Sequence, residues 1–327
     1  MKKRPKRKNG CALRVSFIAL ILSALSPEQL LRKARADIFG SGANSFEIEF
    51  VRIENPNNPP DTTGDPNPAG SVPYEYRIGK YEVPEDAVRK ANAITAAAGQ
   101  PLALTLDLRA PNKPATSLSW FEAAMFVNWL NTSSGSAPAY KFEASGNFQL
   151  WQPGDAGYNP NNRFRNTQAR YFLPSADEWY KAAYYDPSIA DYWDYPTGSN
   201  DPPLSVPFGT APGTAVWNRP FEDGPANVNL AGGFSAYGSM GQGGNVGEWE
   251  EAELDLVNDS LMGSRGLRGG DWIPTISSVD LSSNFRNHFF PEANPINVGI
   301  RIASVVPEPR TLCLAMVGLL LVSLRIR

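Results

Sequence analysis

The chain has 327 residues, with 30 Lys and Arg against 33 Asp and Glu and a formal net charge of -3. Six of the Lys and Arg lie in the first nine residues and no acidic residue does, so the remainder is acidic, which argues against nucleic acid as a partner. The length fits one large domain. The two cysteines, Cys11 and Cys313, lie near the termini, so the central domain has no disulfide and depends on its core, on bound metal, or on both.

The N-terminus has the pattern of an export signal. A stretch rich in Lys and Arg, Met1 to Asn9, precedes an apolar run, Cys11 to Leu25. Ala34-Arg35-Ala36 then places small residues at the two positions that signal peptidase recognises. Residues 1–36 are therefore predicted to be a signal peptide, and the mature chain is predicted to start at Asp37. A membrane anchor is the alternative, but the apolar run is short for spanning a bilayer.

The first mature segments read as two antiparallel strands. Phe46 to Ile53 alternates apolar and polar residues, and Tyr74 to Val83 is its expected partner. The connection from Asp61 to Asn67 has Asp and Asn around a Gly. Such a loop can bind calcium, although polar residues and prolines are also common in long hairpin connections.

Three helices are predicted next. Glu85 to Ala98 is rich in alanine. Ser119 is expected to cap a second helix with Glu122, and Ser175 to cap a third whose Trp179 packs inward. The insert between the second and third helices, residues 132–170, is predicted to be irregular and surface-lying.

Residues 186–244 contain no predicted helix or convincing strand, because Pro, Gly and Asn dominate. A cluster of aromatic residues begins this region. If exposed, its rings could stack on sugars, although aromatic side chains are more often buried. The cluster consists of Tyr184, Tyr185, Tyr192, Trp193 and Tyr195.

A glycine-rich stretch, Gly241 to Glu250, follows and must form a loop, because glycine loses most backbone freedom on ordering. It brings backbone carbonyls and the carboxylate of Glu248 together, as a calcium ion requires. A buried turn with a structural Trp249 and a capping Glu is the alternative.

The last strands are expected at residues 267–272, 285–289 and 297–302, as three antiparallel neighbours. They would place Arg268, Arg286 and Arg301 close together. Crowded cations need partners, so Glu248, Glu250 or Asp271 is expected against at least one of them.

Four segments together resemble the formylglycine-generating enzyme family, also called the sulfatase-modifying factor domain. The resemblance implies a variant of the C-type lectin fold, and hence one loop-rich α+β domain over residues 37–304. The segments are Gly244-Asn245-Val246-Gly247-Glu248-Trp249, Thr116 to Leu130, Tyr171 to Ala183, and Leu267-Arg268-Gly269-Gly270-Asp271-Trp272 with Asn297 to Arg301.

The same resemblance implies calcium ligands in the glycine-rich loop, at Gly241, Gly244, Val246 and Glu248. Gly244 and Val246 would bind through backbone carbonyls. Gly241 stands where the family has Asn, so a weakened site is expected. The family's second calcium site lies in the preceding loops, for which Asn218, Asp223 and Asn227 are candidates by chemistry only.

Oxidases of this family bind Cu(I) through two cysteines, and the corresponding positions here are Pro274 and Val279. Neither can bind copper, so no copper is expected. The single histidine, His288, is expected at the surface. Sequence motifs of other enzyme classes are absent. A carboxylate pair for glycoside hydrolysis stays open as an alternative, because Asp and Glu are plentiful in the chain.

The C-terminus, residues 305–327, resembles the PEP-CTERM sorting signal of Gram-negative bacteria, which an exosortase recognises and cleaves. Val306-Pro307-Glu308-Pro309 precedes an apolar run, Leu312 to Leu324, and a basic end, Arg325-Ile326-Arg327. Such a run would form a transmembrane helix before sorting, and a plain tail anchor is the alternative.

These features predict an exported, surface-anchored and non-catalytic member of the family. It would act as a binding or structural module, with a glycan or protein ligand at the loops between Tyr184 and Trp249. The alternative is a formylglycine-generating oxidase, or another enzyme, whose active site has moved.

Overall fold

The structure is a computed structural model and describes residues 35–275 and 277–307. Most of the predicted signal peptide, and the sorting segment from Glu308 onward, lie outside the described residues. Within the described part, no helix is both long enough and apolar enough to cross a membrane.

Five strands form the first sheet, in the order β1-β2-β3-β15-β6 with antiparallel pairing throughout. The predicted strand Phe46–Ile53 is confirmed with the same bounds, and its partner is shorter than predicted. The members are β1 (Arg35–Phe39), β2 (Phe46–Ile53), β3 (Tyr76–Gly79), β6 (Tyr171–Phe172) and β15 (Ala303–Val305).

The three predicted helices are all present, as α1 (Glu85–Ala97), α2 (Trp120–Ser133) and α3 (Ala176–Tyr184). Ser119 and Glu122 form a complete capping box on α2, and Ser175 and Glu178 form one on α3. In each box the serine side chain accepts from the third helical N–H while the glutamate accepts from the serine N–H. These caps set where both helices begin.

A second sheet has four strands in the order β13-β12-β11-β14. They are β11 (Gly247–Glu253), β12 (Arg265–Arg268), β13 (Asn287–Phe289) and β14 (Val298–Gly299). The prediction of three antiparallel neighbours was wrong for the last of them. β14 pairs in parallel with β11 on the opposite edge, because the chain must continue directly into β15 of the first sheet.

Most remaining strands are two residues long and join locally. Residues 186–244 contain little regular structure, as predicted, and the whole is the expected loop-rich α+β domain. The short strands are β4 (Lys141–Phe142), β5 (Phe148–Gln149), β7 (Tyr185–Asp186), β8 (Asp191–Tyr192), β9 (Leu204–Ser205) and β10 (Thr214–Ala215), and the 3-10 helices are Gly42–Asn44, Phe221–Asp223, Val228–Leu230 and Ser278–Leu281.

The insert between α2 and α3 is irregular, but the prediction that it lies on the surface was wrong. Its Tyr140, Phe148 and Phe164 are buried, with ring centroids 5.1 to 5.6 Å from that of Trp120. Aromatic rings bury large apolar areas even within a polar segment. The insert therefore forms part of the main core.

Candidate functional site

The glycine-rich loop lies beneath the surface at the start of β11. Gly244 has φ +97°, and a Cβ there would come within 2.4 Å of the Val216 carbonyl oxygen, so only glycine fits. Asn245 follows, fully buried and also at positive φ. Its side chain accepts from the Ala226 N–H (2.7 Å) and donates to Glu82 Oε1 (2.9 Å). Asn245 thus ties three segments together.

The loop predicted from Gly241 to Glu250 is shorter than expected, because Gly247 and the residues after it form β11. Glu248 lies in that strand with no exposed surface, and both of its carboxylate oxygens accept hydrogen bonds. Oε1 accepts from Arg301 Nη2 (2.6 Å), and Oε2 accepts from Arg301 Nε (2.9 Å) and Trp179 Nε1 (2.6 Å). Arg301 also donates to the carbonyls of Gly79 and Met240. A buried charge pair is tolerated when its other donors are satisfied in this way.

Glu250, two residues further along β11, bridges two other arginines. Its Oε1 accepts from Arg268 Nε (2.8 Å) and its Oε2 from Arg286 (2.7 Å), and all three side chains are buried. The prediction that a glutamate of this strand pairs with the arginine cluster is confirmed. Asp271 does not take part in these pairs.

Glu251 belongs to a third buried network that sequence reasoning missed. Its Oε1 accepts from Arg165 Nε (2.7 Å) and from the Tyr140 hydroxyl (2.9 Å). Arg165 also pairs with Glu178 (2.8 Å). Burial would raise the pKa of Glu178, but Arg165 lowers it overall. Arg165 lies in the irregular insert, where no periodicity marks it as buried.

Glu82 is the one carboxylate beside the glycine-rich loop that lacks full pairing among the described residues. It is 1 % exposed, and no donor reaches its Oε2. Burial holds the pKa of Glu82 well above its usual range, and the nearby Glu248 charge adds to this, whereas Arg301 opposes it. A Cβ on Gly241 would lie 2.8 Å from both carboxyl oxygens. Glu82 therefore fills the space that a side chain at position 241 would need.

The residues predicted to bind calcium, Gly241, Gly244, Val246 and Glu248, are all buried in one stretch. The carboxylate of Glu248 is already held by Arg301 and Trp179, so its charge is compensated. No cluster of three or more Asp, Glu, His or Cys within the described ranges suits a metal. A calcium ion here would depend on backbone carbonyls. The site stays a prediction.

The other calcium candidates have different surroundings. Asp61 accepts from Thr63 and from the Tyr180 hydroxyl (2.6 Å), so its oxygens close a turn. Asp223 and Asn227 line a cavity that also contains Lys113 and Arg219, cations that oppose a metal ion. Asn218 is not among the residues that line it.

The residues present do not fit copper. Val279 is 55 % exposed in a 3-10 helix, Pro274 is exposed, and no thiol occurs among the described residues. His288 is exposed on β13, as predicted. Next to these positions, Asp271 and Asp280 line a cavity of about 100 Å³.

Asp271 lies just after β12 and is buried. It accepts from the Ile273 N–H (2.8 Å) and from Asn297 Nδ2 (2.5 Å). Burial raises the pKa of Asp271 to about 6. No cation lies within 4.0 Å of it among the described residues.

The aromatic cluster at the start of the loop region lies mostly in the core. Tyr184, Tyr185 and Tyr195 are buried, which confirms the core alternative for them, and buried rings cannot stack on sugars. Tyr192 and Trp193 are only partly buried. Neighbouring rings pack closely, with 4.7 Å between the centroids of Tyr180 and Tyr184. The exposed aromatic side chains of this region are instead Phe208, Phe221 and Phe234.

Solved structures with this fold include Treponema denticola variable protein 1, with a TM-score of 0.57, 17% identity, and coverage of 84% of this chain and 100% of that one. CarF has a TM-score of 0.56 at 18% identity, over 80% of this chain and 99% of the other. Identities this low support the fold alone.

Hercynine oxygenase of Mycobacterium tuberculosis is 28% identical over 144 residues, or 40% of this chain and 32% of that protein. The chain thus spans about a third of that relative's length. The family model for the sulfatase-modifying factor enzyme 1-like domain matches residues 60–306. The match covers most of the chain, which therefore belongs to the sulfatase-modifying factor family.

Proposed function

We propose that this protein is an exported, surface-anchored and non-catalytic member of its family, acting as a binding or structural module. The observation that carries the proposal is the donor set at the family's copper positions. Pro274 and Val279 offer no thiolate, and Cu(I) is a soft ion that prefers sulfur. The oxidase chemistry of the family lacks its ligands in this chain.

The carboxylates of β11 support the same view. Glu248, Glu250 and Glu251 are buried, and each is bound by at least one arginine. A carboxylate whose oxygens already accept from arginine donors is not free to contact a substrate. These residues hold the fold together, so the glycine-rich signature has a structural use without catalysis.

A binding role is favoured by what the loop region exposes. Phe208, Phe221 and Phe234 keep 65%, 48% and 42% of their surface exposed. Large exposed apolar side chains near a cavity are typical of recognition surfaces. A glycan or protein is the expected class of ligand.

Export and anchoring rest on the terminal sequences. A signal peptide over residues 1–36 and a sorting segment over residues 305–327 would carry the domain to the surface of a Gram-negative cell. Signal peptidase and an exosortase would be the processing partners. The membrane would hold the C-terminal helix before sorting.

An enzyme with a relocated active site is the second candidate, and Asp271 is the observation that favours it. A buried carboxyl whose pKa is about 6 is suited to general acid and base work near neutral pH. The partial similarity to a protein named hercynine oxygenase points the same way. A sulfatase would be the substrate if the family's activity remained.

Oxygen consumption by the full chain, measured with copper and a cysteine-containing sulfatase peptide, separates the two candidates. We expect none above the protein-free blank, and turnover would overturn the proposal. The double variant Pro274→Cys with Val279→Cys restores the family's two thiols. It should gain Cu(I) affinity in a competition assay with a coloured chelator, whereas the wild type should not.

A further inference from the structure

A cavity of about 560 Å³ is formed where residues 207–208 and 219–230 meet Lys113. Its volume lies in the range of small-molecule sites. Two cations, Lys113 and Arg219, line it together with one carboxylate, that of Asp223. The lining therefore carries a formal charge of about +1, which matches a ligand unit with one negative charge.

Both cations have donors to spare. Lys113 Nζ donates to the Pro225 carbonyl oxygen (2.5 Å), and no carboxylate lies within 4.0 Å of it among the described residues. Arg219 donates from Nη2 to Asp223 (3.2 Å), and its side chain keeps 30% of its surface exposed. Lysine has three donors and arginine five, so an anionic acceptor can bind without breaking either contact.

The surroundings of Lys113 disfavour its charged form, and a bound anion would stabilise that form. Burial lowers the pKa of Lys113, and the positive charge of Arg109 lowers it further. A carboxylate placed beside Lys113 would offset both effects, because opposite charges favour the ionised form.

Other features of the lining are suited to a sugar ring. Phe208 is 65% exposed and offers an apolar face. Asp223 and Asn227 supply acceptors for hydroxyl groups. A molecule that presents a carboxylate, hydroxyl groups and an apolar ring face together would satisfy the whole lining.

We propose that this cavity binds an acidic saccharide through a uronic acid unit, with its carboxylate on Lys113 and Arg219 and its ring on Phe208. The inference rests on the proposed binding function and names its ligand class. Asp223 argues against groups that carry two negative charges at one point, such as phosphate esters, because the second charge would face a carboxylate.

Calorimetric titration of the full chain with digalacturonate, and with neutral digalactose as the matched ligand, tests the proposal. We expect binding of digalacturonate alone, weakened by added NaCl. Lys113→Met should lower the affinity about tenfold or more, because charge-assisted hydrogen bonds are lost. Phe208→Ser should weaken it several-fold, and since Phe208 is exposed this variant should fold normally.

Lys90→Met is the matched control, because Lys90 also donates to a backbone carbonyl but pairs with Asp86 on α1. It should bind like the wild type. Equal binding of both disaccharides, no binding of digalacturonate at millimolar concentration, or equal losses in Lys90→Met and Lys113→Met would overturn the proposal.

The titration is repeated with calcium and with a chelator. A strict requirement for calcium would mean that a metal ion on Asp223 and Asn227 binds the sugar. That result would contradict the proposed role of Lys113 and Arg219. Failure of the proposed function would appear differently, as copper-dependent oxygen consumption. If digalacturonate does not bind and no oxygen is consumed, the uronic acid proposal is wrong, whereas the proposed binding function stands with a ligand of another class.

Discussion

Arg301 and Glu248 form an ion pair with no exposed surface, at 2.6 Å between Nη2 and Oε1. Glu248 lies in β11 of the second sheet, while Arg301 also donates to the carbonyl oxygen of Gly79 in β3 of the first. The pair therefore connects the two sheets beneath the glycine-rich loop.

Replacing Arg301 by Leu should lower the free energy of unfolding by about 3 to 5 kcal/mol, because Glu248 is then left buried without its cation. The melting temperature should fall by roughly 6 to 20 °C for a domain of this size. Calorimetric or circular dichroism melts measure this. Arg89→Leu is the control, since Arg89 pairs with Asp86 at the surface. Equal melting temperatures of Arg301→Leu and the wild type would contradict the structural role of this ion pair.

Gly241 should not tolerate the family's asparagine. Gly241→Asn places a Cβ at φ +83° and 2.8 Å from the Glu82 carboxyl, so we expect a loss of about 1 to 3 kcal/mol in urea denaturation. Glu82→Ala opens that space, and adding it to Gly241→Asn should cost less than the sum of the two single changes. Strict additivity would show that Glu82 does not exclude side chains at position 241.

Asp271 should make the domain less stable as the pH rises. Its folded pKa, about 6, lies above the usual value of 3.8, so the folded state binds more protons than the unfolded state between these values. The free energy of unfolding therefore falls as pH rises from about 4 to about 6. The full penalty above pH 6 is about 3 kcal/mol.

Asp271→Asn removes this titration and should stabilise the domain at pH 7 relative to wild type, with the difference shrinking toward pH 4. Urea denaturation at several pH values measures it. Asp201→Asn is the comparison, because Asp201 is an exposed carboxylate of the loop region. A stability difference independent of pH would show that Asp271 does not titrate in this range.

Calcium should bind the glycine-rich loop only weakly, because Gly241 supplies no side-chain oxygen and Glu248 is compensated by Arg301. Isothermal titration with calcium up to millimolar concentration, after treatment with a chelator, should show a weak single site. Glu248→Gln should lower that heat only in part, because backbone carbonyls would supply the other ligands. The complete absence of binding heat for the wild type would contradict the prediction.

Processing should produce a mature protein that starts at Asp37 and has lost the segment after Pro307-Glu308-Pro309. Intact-mass analysis of the protein recovered from the surface of an exosortase-containing Gram-negative host measures both ends. Glu308→Ala should leave the C-terminal segment attached. Recovery of an uncut chain in the cytoplasm would contradict export.

The sequence predicted local structure well where short-range rules operate. Ser119 with Glu122, and Ser175 with Glu178, determine helix starts through hydrogen bonds spanning three residues. The strand Phe46–Ile53 follows from alternation alone. These features need no knowledge of distant segments.

The candidate site was predicted less completely. The sequence identified Glu248, Glu250 and the three arginines as partners, because crowded charges must pair. It did not assign the pairs, and it missed Arg165 and Glu251, which lie 86 residues apart in the chain. The carboxylate of Glu82 beside Gly241 was also missed, because no local pattern connects them.

The sequence by itself thus determined the family, the helix caps, the strand Phe46–Ile53 and the absence of thiols at the copper positions. The tertiary structure alone decided the parallel pairing of β14, the burial of Tyr140 and Tyr184, and the meeting of Lys113 with Arg219 in one cavity. The reason is physical. Caps and alternation depend on neighbours a few residues away, whereas burial and charge pairing depend on which distant segments the folded chain brings into contact.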